Sequence, residues 1–337
     1  MNKKPTIQDI AQLAGVGPGT VSRVLNDHPN VSAKTRAKVL SAIARMDYRP
    51  SFSARHMRTQ RSHLIGFISD EVATTPYAGH IILGAQDAAW QKGCILLVVN
   101  VGYNTDMLNE VIETFLEREV EAIIYAAMYH HAVTLPEKIA HVPVALANCF
   151  STDFPLPAIV PDEFGGGYDA TRALLNKGHR RIGFINIHNT EPGIPASVGR
   201  WQGYRVALQD ADIPYDSALV RFGTGSADDG YRFAHALMAL ASAPTALFCG
   251  NDRTAWGAYN ALAELNLRIP DDVAVIGFDN QVIIAEALRP PLTTMALPHY
   301  EIGRRAATLL LEQITSDKIP SASSTVVACP LVERRSI

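Results

Sequence analysis

The sequence predicts a small all-α unit at the N-terminus, followed by a larger two-lobed α/β body with parallel sheets. Apolar residues recur at helical spacing up to about residue 46, and from residue 64 short apolar runs alternate with amphipathic segments. This alternation restarts near residue 181, which divides the body into two lobes. The 337 residues are enough for two or three compact units with their own cores.

The first two predicted helices are short and are joined by a glycine turn. Thr6 is expected to cap the first helix, and Asp9 favours its positive N-terminal end. Gly15 suits a left-handed turn, and Gly17 followed by Pro18 suits the start of the second helix. The residues expected to face inward are Ile7, Ile10, Ala11, Ala14, Val21, Val24 and Leu25.

The third predicted helix begins after Ser32 and runs to about Met46. Its inward residues are expected to be Ala33, Ala37, Leu40 and either Ile43 or Ala44. Helices in this arrangement can place the second one in the major groove of DNA. A small helical bundle without a nucleic-acid role is the alternative.

Charge favours the DNA-binding interpretation. The segment up to Arg61 holds eleven Lys and Arg residues against three Asp, a net charge of +8, whereas the whole chain carries −3. The rest of the chain therefore carries −11. A basic unit on an acidic body indicates that the N-terminal unit alone contacts phosphate groups.

The body alternates strands with helices, which predicts a doubly wound parallel sheet. The motif Ile-Gly-Phe-Ile occurs in the strand predicted at 64–68 and again at 181–185. Further strands are predicted at 94–100, 122–126, 142–147, 246–249 and 273–278, with helices at 80–90, 104–117, 200–210 and 255–265. Two similar lobes imply a cleft between them.

Polar side chains follow three of the predicted strands. These are Asn251-Asp252, Asp279-Asn280 and Ser69-Asp70-Glu71. Ligands of open parallel sheets bind beyond the carboxyl ends of the strands. Carboxylates and amides in such a place suit a polyhydroxylated ligand, because each can share several hydrogen bonds with hydroxyl groups. Capping of the helix that follows each strand is the alternative.

Composition and motifs disfavour several protein classes. No apolar run reaches the roughly 18 residues of a membrane span, and the polar N-terminus is unlike a secretion signal, so we expect a cytoplasmic protein without a membrane partner. The four widely spaced cysteines favour buried free thiols. Gly165-Gly166-Gly167 lacks the spacing of a phosphate loop, and no nucleophile motif or metal-spaced histidine pair occurs. We therefore expect no enzyme activity, no metal and no cofactor.

The N-terminal motifs carry a family resemblance. Residues 6–26, Val31-Ser32-Ala33-Lys34-Thr35-Arg36 and Tyr48-Arg49-Pro50 resemble the lactose-repressor (LacI/GalR) family of bacterial transcription regulators, and the resemblance extends over nearly the whole chain. It implies a helix-turn-helix DNA-binding domain at 1–47, a hinge helix or linker at 48–61, and a periplasmic-binding-protein-like core at 62–337. The implied lobes are about 62–161 with 293–324, and about 162–292 with 325–337.

The resemblance also implies a function. It predicts a sequence-specific repressor that binds a palindromic operator as a homodimer, under allosteric control by a small polar effector in the cleft, a sugar or a sugar derivative. A sugar-binding module without a transcriptional role, such as a transport receptor, is the alternative. The basic N-terminal unit and the missing secretion signal argue against that alternative. The poor match of Gly165-Gly166-Gly167 to a phosphate loop argues against an α/β enzyme.

The DNA contacts follow from the same resemblance. They are Thr6, Pro18, Gly19, Thr20, Ser22, Arg23, Asn26, Asn30, Ser32, Thr35, Ser51, Ala54 and Met57. Glycines stand where the family presents side chains to base edges, so Arg23 becomes the candidate for reading guanine. Met57 stands where the hinge helix carries a leucine that wedges between base pairs.

The effector contacts implied by the resemblance are Asp70, Pro76, Tyr77, Phe164, Arg200, Asn251, Asp279 and His299. Arg200 opens an Arg-x-x-Gly-aromatic element in which the family's arginine contacts the effector. His299 stands where the lactose repressor has a phenylalanine wall. Gly225 replaces an aromatic residue, and Phe164 is expected to compensate for it.

Overall fold

The structure is a computed structural model that describes residues 5–25, 27–48, 61–153, 155–187, 193–316 and 323–337. The chain divides into two compact units, Met1–Ser62 and His63–Ile337. The predicted contacts Asn26, Ser51, Ala54 and Met57 lie outside the described residues, as do positions 49–60 of the predicted hinge.

The N-terminal unit contains helices α1 (Ile7–Ala14), α2 (Pro18–Leu25) and α3 (Ala33–Arg45). Thr6 and Asp9 form a reciprocal capping box at the start of α1, and Gly15 ends that helix with a φ of 67°. The core of the unit consists of Ile10, Ala11, Val21, Val24, Val39, Ala42 and Tyr48. The inward residues predicted for α1 and α2 all belong to this core or pack against it.

The predicted inward face of α3 is wrong except at Ile43. Val39 and Ala42 are buried, whereas Leu40 is 50% exposed and Ala33, Ala37 and Ala44 are exposed. Ile43 is half-buried against the core. Several apolar stripes are possible on an alanine-rich helix, and packing against α1 and α2 selects the one that includes Val39.

The first lobe is built on a parallel sheet in the order β11-β5-β4-β3-β1-β2. Helices α4 and α11 pack on one face of the sheet, and α5 packs on the other. The bounds are β1 (Leu64–Ser69), α4 (His80–Gln91), β2 (Ile95–Asn100), α5 (Thr105–Glu117), β3 (Ala122–Val133), β4 (Val144–Ser151), β5 (Ala158–Pro161), α11 (His299–Ser316) and β11 (Ser324–Val327).

The second lobe has a sheet in the order β12-β10-β9-β8-β6-β7, parallel except that β12 runs antiparallel to β10. Helices α6 and α7 cover one face, and α8 and α9 cover the other. The bounds are α6 (Glu163–Asn176), β6 (Ile182–Asn186), α7 (Pro195–Gln209), β7 (Val220–Phe222), α8 (Ala227–Met238), β8 (Ala246–Cys249), α9 (Asp252–Glu264), β9 (Ala274–Asp279), α10 (Val282–Ala285), β10 (Thr293–Ala296) and β12 (Leu331–Val332).

Two of the predicted lobe boundaries need correction. Residues 293–296 were assigned to the first lobe, but they form β10, which pairs with β9 of the second lobe. Residues 325–327 were assigned to the second lobe, but they belong to β11, which pairs with β5 of the first lobe. The chain therefore returns to the first lobe after Ala296 and leaves it after Val327. These boundaries depend on hydrogen bonds between distant strands, which no local sequence pattern specifies.

Other features of the described residues bear on function. All four cysteines are buried free thiols, as predicted. Within the described ranges, no helix is both long and apolar enough to pass through a bilayer. The same part of the chain contains no group of His, Cys, Asp or Glu side chains arranged to hold a metal ion.

Candidate functional sites

The outward side of α2 is the candidate DNA-reading surface. Pro18, Gly19 and Arg23 are exposed there, and Thr20 and Ser22 are half-buried. A Cβ atom at Gly19 would meet no other atom within 4 Å, so the start of the helix is sterically open. The guanidinium of Arg23 has the geometry to bind a guanine edge with two hydrogen bonds.

Two helix N-termini add exposed hydrogen-bonding groups to the same unit. Thr6 caps α1, and Ser32 caps α3 by accepting the Thr35 amide at 3.2 Å. The hydroxyls of Ser32 and Thr35 lie 2.9 Å apart, and Asn30 is exposed in the preceding turn. Helix N-termini attract phosphate oxygens, so these groups can position the unit on DNA without reading its sequence.

A second candidate site is a cavity between the two lobes of the body. Its volume is about 20 Å³, which is room for about one water molecule. Pockets for small-molecule ligands typically measure about 300–1,000 Å³, so a ligand requires the lobes to separate or the lining to rearrange. The polar residues that line the cavity are Tyr77, Tyr129, His130, Asn148, Glu163, Arg200, Asn251, Arg253, Asp279, Gln281 and His299.

A bulge in β3 presents first-lobe side chains to the cavity. The register between β3 and β4 shifts between Ala126 and His131, and such bulges re-aim side chains. The carboxylate of Asp70 accepts a hydrogen bond of 3.0 Å from the backbone N–H of Met128, which lies in the bulge. Asn148 donates to two carbonyls of the bulge at 2.9 and 3.0 Å. The bulge residues that line the cavity are Met128, Tyr129 and His130.

Arg200 organises the second-lobe side of the cavity. Its Nε donates to Oε2 of Glu163 at 2.7 Å, and its Nη1 donates to the carbonyl of Gly250. The same Nη1 lies 3.6 Å from Oδ1 of Asp279, and the guanidinium lies 3.7 Å from the ring centroid of Phe278. The side chain is only 2% exposed, so this cation is paired and held rigidly.

Asn251 and Asp279 stand at the carboxyl ends of β8 and β9. Asn251 accepts the Thr254 amide at 2.8 Å as a helix cap, and its Nδ2 donates to the Gly225 carbonyl at 3.0 Å. Asp279 has a φ of 105°, which is rare for a residue with a side chain. Its Oδ2 accepts a 2.9 Å hydrogen bond from Nε2 of Gln281.

Burial shifts the pKa of three cavity groups. It raises the pKa of Asp279 to about 6, against the opposing charges of Arg200 and Arg253. It lowers the pKa of His130 and of His299 to about 4, and the charge of Arg200 acts in the same direction. Both histidines are therefore neutral near pH 7, and each ring offers one donor and one acceptor.

Four buried polar atoms, each on a side chain that lines the cavity, have no hydrogen-bond partner among the described residues. They are Nδ1 of His130, Nε of Arg253, Oε1 of Gln281 and Nε2 of His299. An unpaired buried polar group costs about 1–3 kcal/mol, so proteins seldom keep several together without a use for them. Their occurrence on side chains of one cavity favours a ligand with several hydrogen-bonding groups.

The two candidate sites agree with the similarities of the chain to known proteins. Residues 6–51 match the bacterial regulatory proteins of the lacI family, and residues 171–337 match a periplasmic-binding-protein-like domain. The sucrose operon repressor of Escherichia coli is 35% identical over 98% of each chain. The chain belongs to the LacI family of bacterial regulatory proteins.

Solved structures of the LacI family share the fold. The lac repressor dimer bound to operator and the anti-inducer ONPF matches with a TM-score of 0.82 and 25% identity over 99% of both chains. The complex of the regulator CelR with cellobiose matches with a TM-score of 0.68 and 28% identity, over 98% of this chain and 99% of that one. The predicted fold class is confirmed, and the chain is a DNA-binding transcriptional repressor rather than an enzyme.

The cavity of this LacI-family core brings together five of the eight effector contacts named from the sequence. They are Tyr77, Arg200, Asn251, Asp279 and His299. Gly225 has a φ of 81°, and a Cβ there would lie 2.9 Å from Nδ2 of Asn251. The positive φ and this close approach to Asn251 leave no room for an aromatic side chain at this position.

The other three predicted effector contacts do not line the cavity. Asp70 supports the bulge in β3 by binding main-chain amides, as described above. Pro76 is exposed. Phe164 is 44% exposed and borders a separate surface groove with Gln202, Arg205 and Tyr215, so it does not replace the missing aromatic.

The effector contacts expected from the sequence omit six polar residues of the cavity: Tyr129, His130, Asn148, Glu163, Arg253 and Gln281. Three of them lie within two residues of a predicted contact, at Phe164, Asn251 and Asp279, so a wider window around each of these contacts includes them. His130 lies beyond the strand predicted at 122–126 and in none of the three polar segments that follow predicted strands. The bulge that turns it toward the cavity leaves no sequence signal.

Proposed function

We propose that this LacI-family protein represses transcription as a homodimer on a palindromic operator, and that a neutral carbohydrate in the interlobe cavity controls it. The observation that carries the effector part is the set of unpaired polar atoms on His130, Arg253, Gln281 and His299 around one cavity. The repressor acts in the cytoplasm, where it meets bacterial DNA.

The cavity chemistry favours hydroxyl groups as ligand atoms. The unpaired Nε of Arg253 is a donor, and the unpaired Oε1 of Gln281 is an acceptor. The unpaired nitrogen of each neutral histidine is either a donor or an acceptor, depending on the tautomer. A hydroxyl group both donates and accepts, so a sugar can satisfy such a mixed set, whereas a purely anionic group only accepts. The arginines and carboxylates of the lining also balance, since Arg200 and Arg253 face Glu163 and Asp279.

The names of relatives support the same ligand class. A sucrose operon repressor is a full-length relative, and a family structure holds cellobiose. We extend the sugar class to this chain because its cavity residues offer the donors and acceptors that sugar hydroxyl groups need. The proposed contacts are Tyr77, Arg200, Asn251, Asp279 and His299. The cavity is too small for a sugar as it stands, so its lining rearranges to admit the sugar, and the effector acts by favouring one arrangement of the two lobes.

We propose that α2 enters the major groove and that Arg23 reads a base. Pro18, Gly19, Thr20 and Ser22 accompany it on the outward side of α2. Thr6, Asn30, Ser32 and Thr35 contact phosphates, since they are exposed or half-buried polar groups at helix N-termini and in a turn. The proposed roles of Asn26, Ser51, Ala54 and Met57 rest on the family resemblance alone.

The homodimer is supported by apolar surface on the body. Strand β2 lies at one edge of the first-lobe sheet, yet its sequence is Ile-Leu-Leu-Val-Val-Asn. Exposed apolar edges are unusual in monomers, because they invite pairing with another chain. The exposed apolar residues that we assign to the interface with a second copy are Leu83, Trp90, Ile95, Val98, Trp256, Val282 and Ile283.

The DNA part of the proposal is tested by selecting duplexes from a random library with the full-length chain. We expect palindromic sequences with half-sites about one helical turn apart, bound with strong salt dependence. A sugar-binding module without a transcriptional role would enrich no sequence. This result would contradict the operator proposal even if the chain bound sugars.

The effector part is tested by thermal shift and calorimetry with sucrose, cellobiose, D-ribose, glucose 6-phosphate and adenosine. We expect a neutral sugar to raise the melting temperature and to change operator affinity at the same concentration. Binding by adenosine or glucose 6-phosphate alone would overturn the neutral-carbohydrate class. Sugar binding without any change in operator affinity would overturn the regulatory role of the cavity.

A further inference from the structure

Arg253 occupies an electrostatically unfavourable place. It is the second residue of α9, whose N-terminus carries the positive end of the helix dipole. A cation there is repelled by the positive end of the helix dipole, and the side chain is also half-buried. Nothing in the folding of α9 calls for it, because Asn251 and Thr254 already cap the helix.

The side chain of Arg253 bridges the two lobes. Its Nη2 donates to the hydroxyl of Tyr129 at 2.7 Å, and its guanidinium carbon lies 4.9 Å from the ring centroid of Tyr77. Tyr129 lies on β3 and Tyr77 precedes α4, so both belong to the first lobe, whereas α9 belongs to the second. The two tyrosines therefore hold the second-lobe guanidinium from the other side of the cavity.

One donor of Arg253 is left for a ligand. Its buried Nε has no hydrogen-bond partner among the described residues, and the side chain lines the cavity. Its charge also lowers the pKa of Asp279, a proposed effector contact, against the effect of burial.

We propose that Arg253 is a further effector contact and that it couples the effector to lobe closure. Its Nε donates to a hydroxyl or ring oxygen of the sugar, while Nη2 and the guanidinium face hold Tyr129 and Tyr77. The inference rests on the proposed function, since it assumes a carbohydrate in the cavity. A sugar oxygen on Nε stabilises the guanidinium in the position that bridges the lobes, so ligand binding and closure strengthen each other.

The binding test uses the full-length protein with sucrose and cellobiose as probes. We expect Arg253→Gln to weaken binding of whichever of these sugars binds the wild type by at least 10-fold. We expect Arg253→Lys to weaken this binding similarly, because lysine keeps the charge but loses Nε. Tyr129→Phe should weaken it less. The double variant should bind about as weakly as Arg253→Gln alone, because both changes break one shared hydrogen bond.

A matched control removes an arginine with no interlobe role. Arg268 is 69% exposed and pairs with Asp271 and Asp272 near the end of α9, so Arg268→Gln should leave affinity unchanged. Wild-type affinity in Arg253→Gln, or additive losses in the double variant, would overturn the proposal.

Amide hydrogen exchange tests the interlobe contact without any sugar. In Arg253→Gln and in Tyr129→Phe, we expect faster exchange in peptides that contain Tyr77 and Met128–His130, and no change in Arg268→Gln. Unchanged exchange in both variants would overturn the coupling role. If no sugar binds the wild type, the carbohydrate proposal fails, whereas the exchange result still reports on the interlobe contact.

Discussion

Nε of Arg200 donates a 2.7 Å hydrogen bond to Oε2 of Glu163, and the two side chains are 2% and 5% exposed. Glu163 is the first residue of α6, directly after the chain enters the second lobe, and Arg200 lies in the middle of α7. The pair therefore links the point where the chain enters the second lobe to the second-lobe side of the cavity.

We predict that Glu163→Gln destabilises the protein by about 3 kcal/mol, because it leaves a buried guanidinium without its closest counter-charge. Urea unfolding followed by circular dichroism measures the loss. Glu333→Gln is the control, since its pair with Lys177 is half exposed and should contribute less than about 1 kcal/mol. Equal losses in the two variants would show that burial of the first pair has no energetic weight.

Asp279→Ala should abolish the response of operator binding to the effector and leave operator binding itself intact. The carboxylate lines the cavity, whereas the DNA-binding surface belongs to the separate N-terminal unit. Calorimetry with the sugar that binds the wild type, together with operator binding by fluorescence anisotropy, measures both effects. Unchanged sugar affinity would remove Asp279 from the site.

The pKa of Asp279 predicts a pH dependence of stability. Because burial raises this pKa to about 6 from its ordinary value of 3.8, the folded state binds the proton more tightly than the unfolded state does. The contribution of Asp279 to stability is therefore complete below about pH 4 and declines as pH rises through about 6. The lowered pKa values of His130 and His299 act in the opposite sense, so a variant must isolate the carboxyl group.

Asp279→Asn isolates it. Relative to the wild type, this variant should gain about 1 kcal/mol of stability between pH 5 and pH 7.5. Urea unfolding at the two pH values gives the difference, in which the histidine contributions cancel. A constant difference across this range would contradict the raised pKa.

If the guanidinium reads a base, Arg23→Ala should weaken operator binding by about 1–3 kcal/mol. It should weaken binding to random DNA by less. Anisotropy titrations with operator and scrambled duplexes compare the two losses. Arg45→Ala is a control of equal charge at the exposed end of α3. An equal loss on both duplexes would make Arg23 a phosphate contact.

Ile95→Lys should raise the dimer dissociation constant by at least 10-fold, because it buries a charge in the proposed interface. Ile95 is 54% exposed on the edge strand β2. Val326→Lys is the matched control, since Val326 is 58% exposed on β11 at the opposite edge of the same sheet. Sedimentation equilibrium measures both, and dissociation by Val326→Lys alone would place the interface at the other edge.

The sequence by itself determined the helices of the N-terminal unit, the alternating pattern of the body and the strand ends that border the cavity. These features are local, because apolar periodicity, capping residues and glycine turns act within a few positions. The segregation of positive charge before residue 62 was equally visible, since charge needs no fold to be counted.

Only the tertiary structure decided which polar residues face the cavity. Glu163 and Phe164 are neighbours on α6, yet one is 5% and the other 44% exposed, because successive helical residues point about 100° apart and packing sets the rotation. Asp70 was drawn to the main chain of the β3 bulge, and that bulge turned His130 toward the cavity. The places of β10 and β11 were likewise set by pairing between distant segments, which no local pattern encodes.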